Sequence, residues 1–522
     1  MDQPSFRFFD RGGRHPVGLQ VIEQYDYSRS YRQSTDMLGK PYEGERARPL
    51  QTLIWYPAAD RFAPPMTVHD YGKLAATETR FGQTDRPSSV AAKEWLAGLQ
   101  PSLATPMWAV RDAPWASGGG FPVVIYAPSF SGVSWENADL CEYIASHGYV
   151  VLASPSLGAT SRSMTYDLAG IETQARDISF LIAFAQSLAA ADLSRICVIG
   201  FSWGGISNVV AAARDSRITS LVALDGSLRY SPGLLSQAGD VHPEEMRLPL
   251  LSIAQGQWTL EDHERLTTAA DRQGPNVLNG WIHGDLIAVY MLGMAHGEFG
   301  SMYQRNEDSW RNIFHGWHQR RGDYTRQDAV TGYAWMARYT LEFLDAYLKQ
   351  NATAAAFLTK TPAENGVPPH LMACQYRPAS SPQPVSLEGF RLEIGRRGFD
   401  RAAEIYQEFR GRKGNFELSE HTLGSWSDEL IESNHLTEAR RLLELNVQIH
   451  PDSSSALLRL GELYQRTNRR QPAIDAFRAA LEKDPHHPAR PDITRKIETL
   501  EGRPTATSVA WRATAGSHLH EQ

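Results

Sequence analysis

Residues 195–205 read Arg-Ile-Cys-Val-Ile-Gly-Phe-Ser-Trp-Gly-Gly, an apolar β-type run that breaks into Gly200-Phe201-Ser202-Trp203-Gly204. Few local patterns constrain a fold so tightly. A Gly-x-Ser-x-Gly between a strand and a helix puts the serine on a very sharp turn, where the residues two before and two after pass too close to carry a Cβ. In a chain with 41 glycines the pentapeptide alone would mean little. Its setting gives it weight. Ile196, Val198 and Ile199 supply a strand before it, and Ile206 through Ala213 a helix-competent stretch after it.

The flanking sequence alternates in the same way. Val17–Tyr25 and Leu50–Tyr56 read as an early strand pair, and Phe121–Ala127 as a short run buried on both faces. A helix is expected over Trp135–Ser146 with Ser134 as its N-cap, then a strand over Tyr149–Ser154 and an amphipathic helix over Glu172–Ala190. Ile218–Leu224, Leu248–Ala254 and Leu286–Met291 read as further strands, and Tyr324–Lys349 as a long helix. Strands alternating with helices predict an α/β fold, a mainly parallel sheet covered by helices on both faces. Residues 1–349 are expected to form this domain. Within it, 57–118 is a long insertion, mostly irregular, with one helix near Ser88–Leu99, and is a candidate lid over the site.

Composition changes after Lys349. Thr361-Pro362, Pro368-Pro369 and the stretch from Pro378 to Pro384 mark 350–385 as a linker. Beyond it, 386–502 reads as all-α. Asn434, Ala439 and Pro451 recur 34 residues later as Asn468, Ala473 and Pro485. This resembles the tetratricopeptide repeat, whose 34-residue period packs two helices with small residues at their closest approach. The tryptophan that usually starts helix A of that family is replaced here by Leu457 or Leu458. Residues 503–522 read as a disordered tail.

Bulk properties exclude several function classes. A 42% apolar content over 522 residues supports a large core, and a net charge of −7 offers no electrostatic basis for nucleic-acid binding. Three cysteines, Cys141, Cys197 and Cys374, make neither a disulfide framework nor a zinc pattern. No metal or cofactor is expected, since no Walker A loop, His-Glu-x-x-His or dinucleotide fingerprint occurs. No apolar run is long enough to span a membrane. Without a signal-peptide profile the chain as it stands reads as cytoplasmic, and a trimmed exported protein would look the same.

A serine hydroxyl attacks well only when an imidazole accepts its proton and an acid orients that imidazole. Among seventeen histidines, His296 follows the last strand in Met294-Ala295-His296-Gly297-Glu298-Phe299, where the base would lie. His283, before that strand, is the weaker choice. Asp225 closes the strand Leu221-Val-Ala-Leu-Asp225 and is the favoured acid; Glu261 or Asp262, after the next strand, is the alternative. The order Ser202…Asp225…His296 suits the fold. Two backbone amides are expected to receive the oxyanion, those of Trp203 and Phe130. Trp135 and Tyr166, with Phe130 and Trp203, are the candidates to line an acyl pocket.

Gly-Phe-Ser-Trp-Gly-Gly, Ala-Leu-Asp-Gly 23 residues after the serine, and His-Gly-Glu-Phe together resemble the platelet-activating-factor acetylhydrolase and dienelactone-hydrolase-like branch of the α/β-hydrolases. The resemblance covers residues 17–349. It implies an acid just beyond the strand after the elbow, at Asp225, and a second oxyanion amide within Ser129–Gly132. Dienelactone hydrolases proper use a cysteine where this chain has Ser202, so their lactone substrate does not carry over.

These features lead to a serine hydrolase that cleaves small carboxylic esters through an acyl-enzyme. A peptidase or amidase with the same triad is the near alternative. A different class is an interaction protein whose 386–502 repeats recruit a partner or mediate self-association, with hydrolysis secondary.

Overall fold

A computed structural model describes residues 12–36, 38–59, 63–81, 90–229, 232–256, 259–262, 277–309, 314–316, 318, 322–380 and 385–502, together with Phe6 and Phe8. The chain divides into two compact units, Met1–Ser381 and Pro382–Gln522.

In the first unit the strands are β1 (Val17–Ser30), β2 (Ala47–Pro57), β3 (Ala109–Arg111), β4 (Phe121–Ala127), β5 (Val150–Ala153), β6 (Ala191–Phe201), β7 (Ile218–Leu224), β8 (Leu250–Gln255), β9 (Leu286–Met291) and β10 (Met372–Arg377). Among the described residues they form one ten-stranded sheet, ordered β10-β9-β8-β7-β6-β4-β5-β2-β1-β3. The central strands β5, β4, β6, β7, β8 and β9 pair in parallel. β2, β1 and β10 join antiparallel, at opposite ends.

The alternation of side chains along each strand explains why the sheet is covered twice. Val124, Tyr126, Cys197, Ile199, Val222, Leu251 and Ile287 point to one face, where they pack with Cys141 and Ile144 of α3 (Ala138–Ser146) and Tyr333, Met336 and Leu344 of a 23-residue helix, Arg326–Leu348. Val123, Ile125, Ile196, Val198, Leu221 and Leu250 point to the other. There they meet Ile171 and Ile178 of α4 (Leu168–Ala185) and Ile206 and Val209 of α5 (Trp203–Arg214). A fully buried aliphatic side chain of this kind stabilises by about 1.5–3 kcal/mol, so a strand apolar on both sides is held only between two helical layers.

Several expected boundaries shift. α3 starts at Ala138 behind Asn137, not at Trp135 behind Ser134, because Val133–Asn137 is a turn organised around the buried Glu136 side chain. α4 starts at Leu168, where the Asp167 carboxylate accepts the Gly170 N–H, and it ends at Ala185. The 57–118 insertion is built into the fold where it is described. α1 (Val68–Leu74) is closed by a Thr67–Asp70 capping box, α2 (Val90–Gly98) follows, and β3 pairs parallel with β1. Part of the expected Ser88–Leu99 helix lies outside the described residues.

The expected linker 350–385 is corrected more sharply. Ala352–Thr359 is a helix capped by Asn351, and β10 completes the sheet by pairing Met372–Arg377 with β9. β10 escapes notice because its alternation is weak and its flanks are proline-rich. Residues 381–384, at the end of that segment, lie outside the described residues, as does the expected tail 503–522.

The second unit is helical: Leu387–Arg397, Ala402–Arg412, Glu420–Glu432, Leu436–Ile449, Ser454–Arg466, Arg470–Lys483 and Arg490–Glu501. Helices beginning at 420 and 454, and at 436 and 470, start 34 residues apart. The turns repeat as well. Asn434 and Asn468 adopt positive φ of 63° and 58°, a conformation asparagine tolerates better than most residues. Each is followed by a backbone bond closing the helix end, from His435 to Leu430 and from Arg469 to Tyr464.

Candidate active site

β6 ends at Phe201 and α5 begins at Trp203, which leaves Ser202 alone on the turn with φ 53° and ψ −115°. This positive φ is a costly one for a residue with a Cβ. Surrounding bonds hold it: the Ser202 N–H donates to Leu224 O at 3.0 Å, and Ser202 O accepts from Gly205 at 3.0 Å and Ser227 at 2.9 Å. The two motif glycines are sterically required. A Cβ on Gly200 would lie 2.2 Å from the Gly204 backbone, and one on Gly204 would lie 2.2 Å from the Ala127 carbonyl oxygen.

The strand ends bring three predicted side chains together. His296, in the turn after β9, places Nε2 2.9 Å from Ser202 Oγ and Nδ1 2.5 Å from Asp225 Oδ2. A carboxylate on Nδ1 means that nitrogen carries the proton, which leaves Nε2 to accept from the serine hydroxyl. Asp225 is fully buried just past β7. Its Oδ1 accepts the Gln255 N–H at 3.0 Å, and its own N–H donates to Ile253 O at 2.6 Å. The His296 side chain is 47% exposed, and its partial withdrawal from solvent works against a charged ring; the hydrogen bond and charge of Asp225, helped by Glu136, outweigh that and raise its pKa above the ordinary value.

The other candidates for these roles lie elsewhere. Glu261 accepts from the Gln375 amide at 2.9 Å, and Asp262 bonds Thr259 at its helix start. His283 is not the imidazole that faces Ser202; His296 is.

The loop after β4, Pro128–Gly132, lies against the elbow, since a Cβ on Gly204 would also meet Pro128 O at 2.9 Å. Among the described residues neither the Phe130 N–H nor the Trp203 N–H donates a hydrogen bond. Phe130 and Tyr166 are 40% and 66% exposed. Both rings pack on Trp203, at centroid distances of 5.6 and 4.6 Å. Trp135 is a correction. It has no exposed surface and sits edge-on to Trp95 at 5.0 Å within the core, so it cannot touch a substrate. It belongs to the apolar cluster that also holds Tyr126, Val133 and Ala138.

One functional-looking residue escaped the sequence reading. Glu136 is completely buried, and burial pushes its carboxyl up to about 7 against the lowering effect of its hydrogen bonds from Ser129, Tyr126 and Tyr303. Its only signal in the sequence is an acid within the apolar Gly132-Val-Ser-Trp135 neighbourhood, and that also suits the first turn of a helix. Among the described residues no cluster of three or more His, Cys, Asp or Glu side chains is placed to hold a metal ion.

The strand order, the serine on its turn and the histidine past β9 form one pattern. The first unit is an α/β-hydrolase-like domain. Residues 110–241 match the Dienelactone hydrolase family. A Salmonella typhi protein named as a candidate carboxymethylenebutenolidase is 29% identical over 181 residues, covering 32% of this chain and 66% of the relative. Proteins with the same designation from Escherichia coli K12 and Methylorubrum extorquens AM1 are 28% and 27% identical, covering 30% and 27% of this chain and 62% and 53% of theirs. The chain thus spans less than two thirds of the length of these curated relatives. A solved structure described as a ferulic acid esterase from Streptomyces cinnamoneus shares 20% identity over 67% of this chain and 94% of its own, with a TM-score of 0.46. The family match spans β4 through β7 and so takes in the Ser202 turn and Asp225.

Proposed function

We propose that the first unit is a serine hydrolase that cleaves carboxylic esters through an acyl-enzyme. The observation that carries this reading is the pair of contacts on His296, to Ser202 Oγ at 2.9 Å and to Asp225 Oδ2 at 2.5 Å. His296 Nε2 takes the hydroxyl proton as Ser202 Oγ bonds to the ester carbonyl carbon, and Asp225 stabilises the imidazolium. The negative oxygen of the tetrahedral adduct is received by the Trp203 and Phe130 amides, whose N–H groups are uncommitted within the described fold. The imidazolium then protonates the leaving alcohol, and water activated by the same ring releases the acid. The exposed rings of Phe130 and Tyr166, beside Trp203, offer the apolar surface for the substrate's organic part.

The test is Ser202→Ala in the full chain on p-nitrophenyl acetate, with an organophosphonate to label the wild type. Loss of turnover, and a single phosphonyl adduct on the Ser202 peptide, are expected. Retained turnover in the variant sinks the reading. A matched anilide run in parallel separates esterase from amidase.

We infer further that the second unit carries tetratricopeptide-like repeats. The 34-residue spacing of helix starts supports this, as does Gly461, where a Cβ would stand 2.7 Å from the Phe477 ring. Expression of 386–502 alone should give a cooperatively melting helical domain by circular dichroism; a featureless melt would reject the assignment.

A further inference from the structure

The Glu136 carboxylate accepts four hydrogen bonds in the core beside the elbow. Oε1 accepts the Ser129 N–H at 2.7 Å and the Tyr126 hydroxyl at 3.0 Å. Oε2 accepts the Ser129 hydroxyl at 2.6 Å and the Tyr303 hydroxyl at 3.4 Å. Two of the four bonds, and the two shortest, fall on one residue. Ser129 immediately precedes Phe130, so both its backbone and its side chain are clamped next to the amide assigned to the oxyanion.

The rest of the loop is tied with equal thoroughness. The Gly132 N–H donates to Ser129 O at 2.8 Å, and Ser131 takes a positive φ of 53°. Arg162 donates to the carbonyls of Ser131 and Gly132, and the Met164 N–H donates to Ser131 Oγ at 2.8 Å. Pro128 O accepts from Ser156 Oγ and from Gln174. Gly132 makes room for the acid, since a Cβ there would lie 2.6 Å from Glu136 Oε2. Tyr303, the fourth donor, lies in the helix that follows the His296 turn, so one carboxylate joins both loops that border Ser202. Burying this acid is costly enough to push its carboxyl up to about 7, and the four donors offset only part of that cost.

We propose that Glu136 is a positioning residue, its carboxylate holding the Pro128–Gly132 loop so that the Phe130 amide meets the oxyanion formed on Ser202. The inference rests on the serine-hydrolase reading above. It assigns Glu136 no contact with substrate. Its effect passes through Ser129, and it is felt in the transition state rather than in substrate binding.

The test uses Glu136→Gln in the full chain, with p-nitrophenyl acetate as substrate and an alkyl trifluoromethyl ketone as the analogue of the tetrahedral adduct. The amide keeps the size of the acid but turns a donor against Ser129. We expect kcat to fall about 10- to 100-fold, KM to stay within about twofold, and the ketone inhibition constant to weaken in step with kcat. Glu142→Gln is the control. It alters an equally buried acid, bonded to Tyr71 and Trp108 instead, and should lower the melting temperature while leaving kcat in place. A folded Glu136→Gln enzyme whose kcat falls no further than that of Glu142→Gln overturns the proposal. If Glu136→Gln does not fold, Ser129→Ala decides. Removing one short bond should cost kcat about three- to tenfold, and an unchanged kcat overturns the proposal. Ser202→Ala run alongside keeps the two readings apart: retained turnover there defeats the serine mechanism, whereas abolished turnover with a normal Glu136→Gln enzyme defeats only the positioning role.

Discussion

Asp225 Oδ2 stands 2.5 Å from His296 Nδ1 while Asp225 Oδ1 accepts the backbone N–H of Gln255 at 3.0 Å. The carboxylate that faces His296 therefore comes from the end of β7 and is braced by the end of β8. In many α/β sheets of this kind the carboxylate would follow β8 itself. Here β8 contributes a peptide N–H instead, and Glu261 and Asp262 beyond it bond Gln375 and Thr259.

Asp225→Asn should separate charge from shape. The residue sits at φ 40°, which asparagine tolerates, so the fold should persist. An amide presents a donor to Nδ1 and forces the proton onto Nε2, the wrong tautomer for accepting from Ser202. We expect kcat on p-nitrophenyl acetate to fall about 10³- to 10⁴-fold with an unchanged circular dichroism spectrum. A loss below tenfold would show that another acid serves His296.

The pH dependence follows from the raised pKa of His296. Nε2 accepts a proton only from the neutral ring, so kcat/KM should climb with pH along one limb whose apparent pKa lies above the unperturbed value of about 6.5. Stability runs the opposite way. A pKa raised by folding contributes stability that is complete below the unfolded value and disappears as pH rises through the folded one. Rate profiles and thermal melts across this window check both signs. A limb below the unperturbed value would contradict the Asp225–His296 pairing.

Gly204→Ala should fail for steric reasons alone. Its Cβ would stand 2.2 Å from the Ala127 carbonyl oxygen, and neither backbone can withdraw without opening the elbow. A destabilisation of about 3 kcal/mol or more is expected, read as a lower denaturant midpoint with reduced soluble yield. A wild-type midpoint would mean the turn is looser than its geometry indicates.

Truncation tests the boundary that the sequence misplaced. A chain ending at residue 349 loses β10 and leaves the buried strand β9 as an open, wholly apolar edge. That fragment should aggregate, whereas one ending at 381 should stay soluble and active. Equal solubility of the two by size-exclusion chromatography would make β10 dispensable.

Much of the site was legible because it depends on local chemistry. The elbow glycines announce a turn that nothing larger fits, and strands apolar on both faces announce a covered parallel sheet. Asp225 and His296 could be placed since each directly follows a recognisable strand. Trp135 was misread as a pocket residue because burial and exposure of a tryptophan look the same in one dimension. β10 was missed because its pairing partners lie 81 to 91 residues away and its own pattern is faint.

The sequence by itself determined the turn, the strand–helix alternation and the order in which Ser202, Asp225 and His296 follow their strands, since these follow from short-range sterics and periodicity. Tertiary structure alone decided that Gln255 braces Asp225, that the chain closes its sheet with residues 372–377, and that Glu136 grips Ser129. The physical reason is the same for all three. A hydrogen bond between distant segments is directional and depends on how those segments pack, and no local pattern of residue types encodes that geometry.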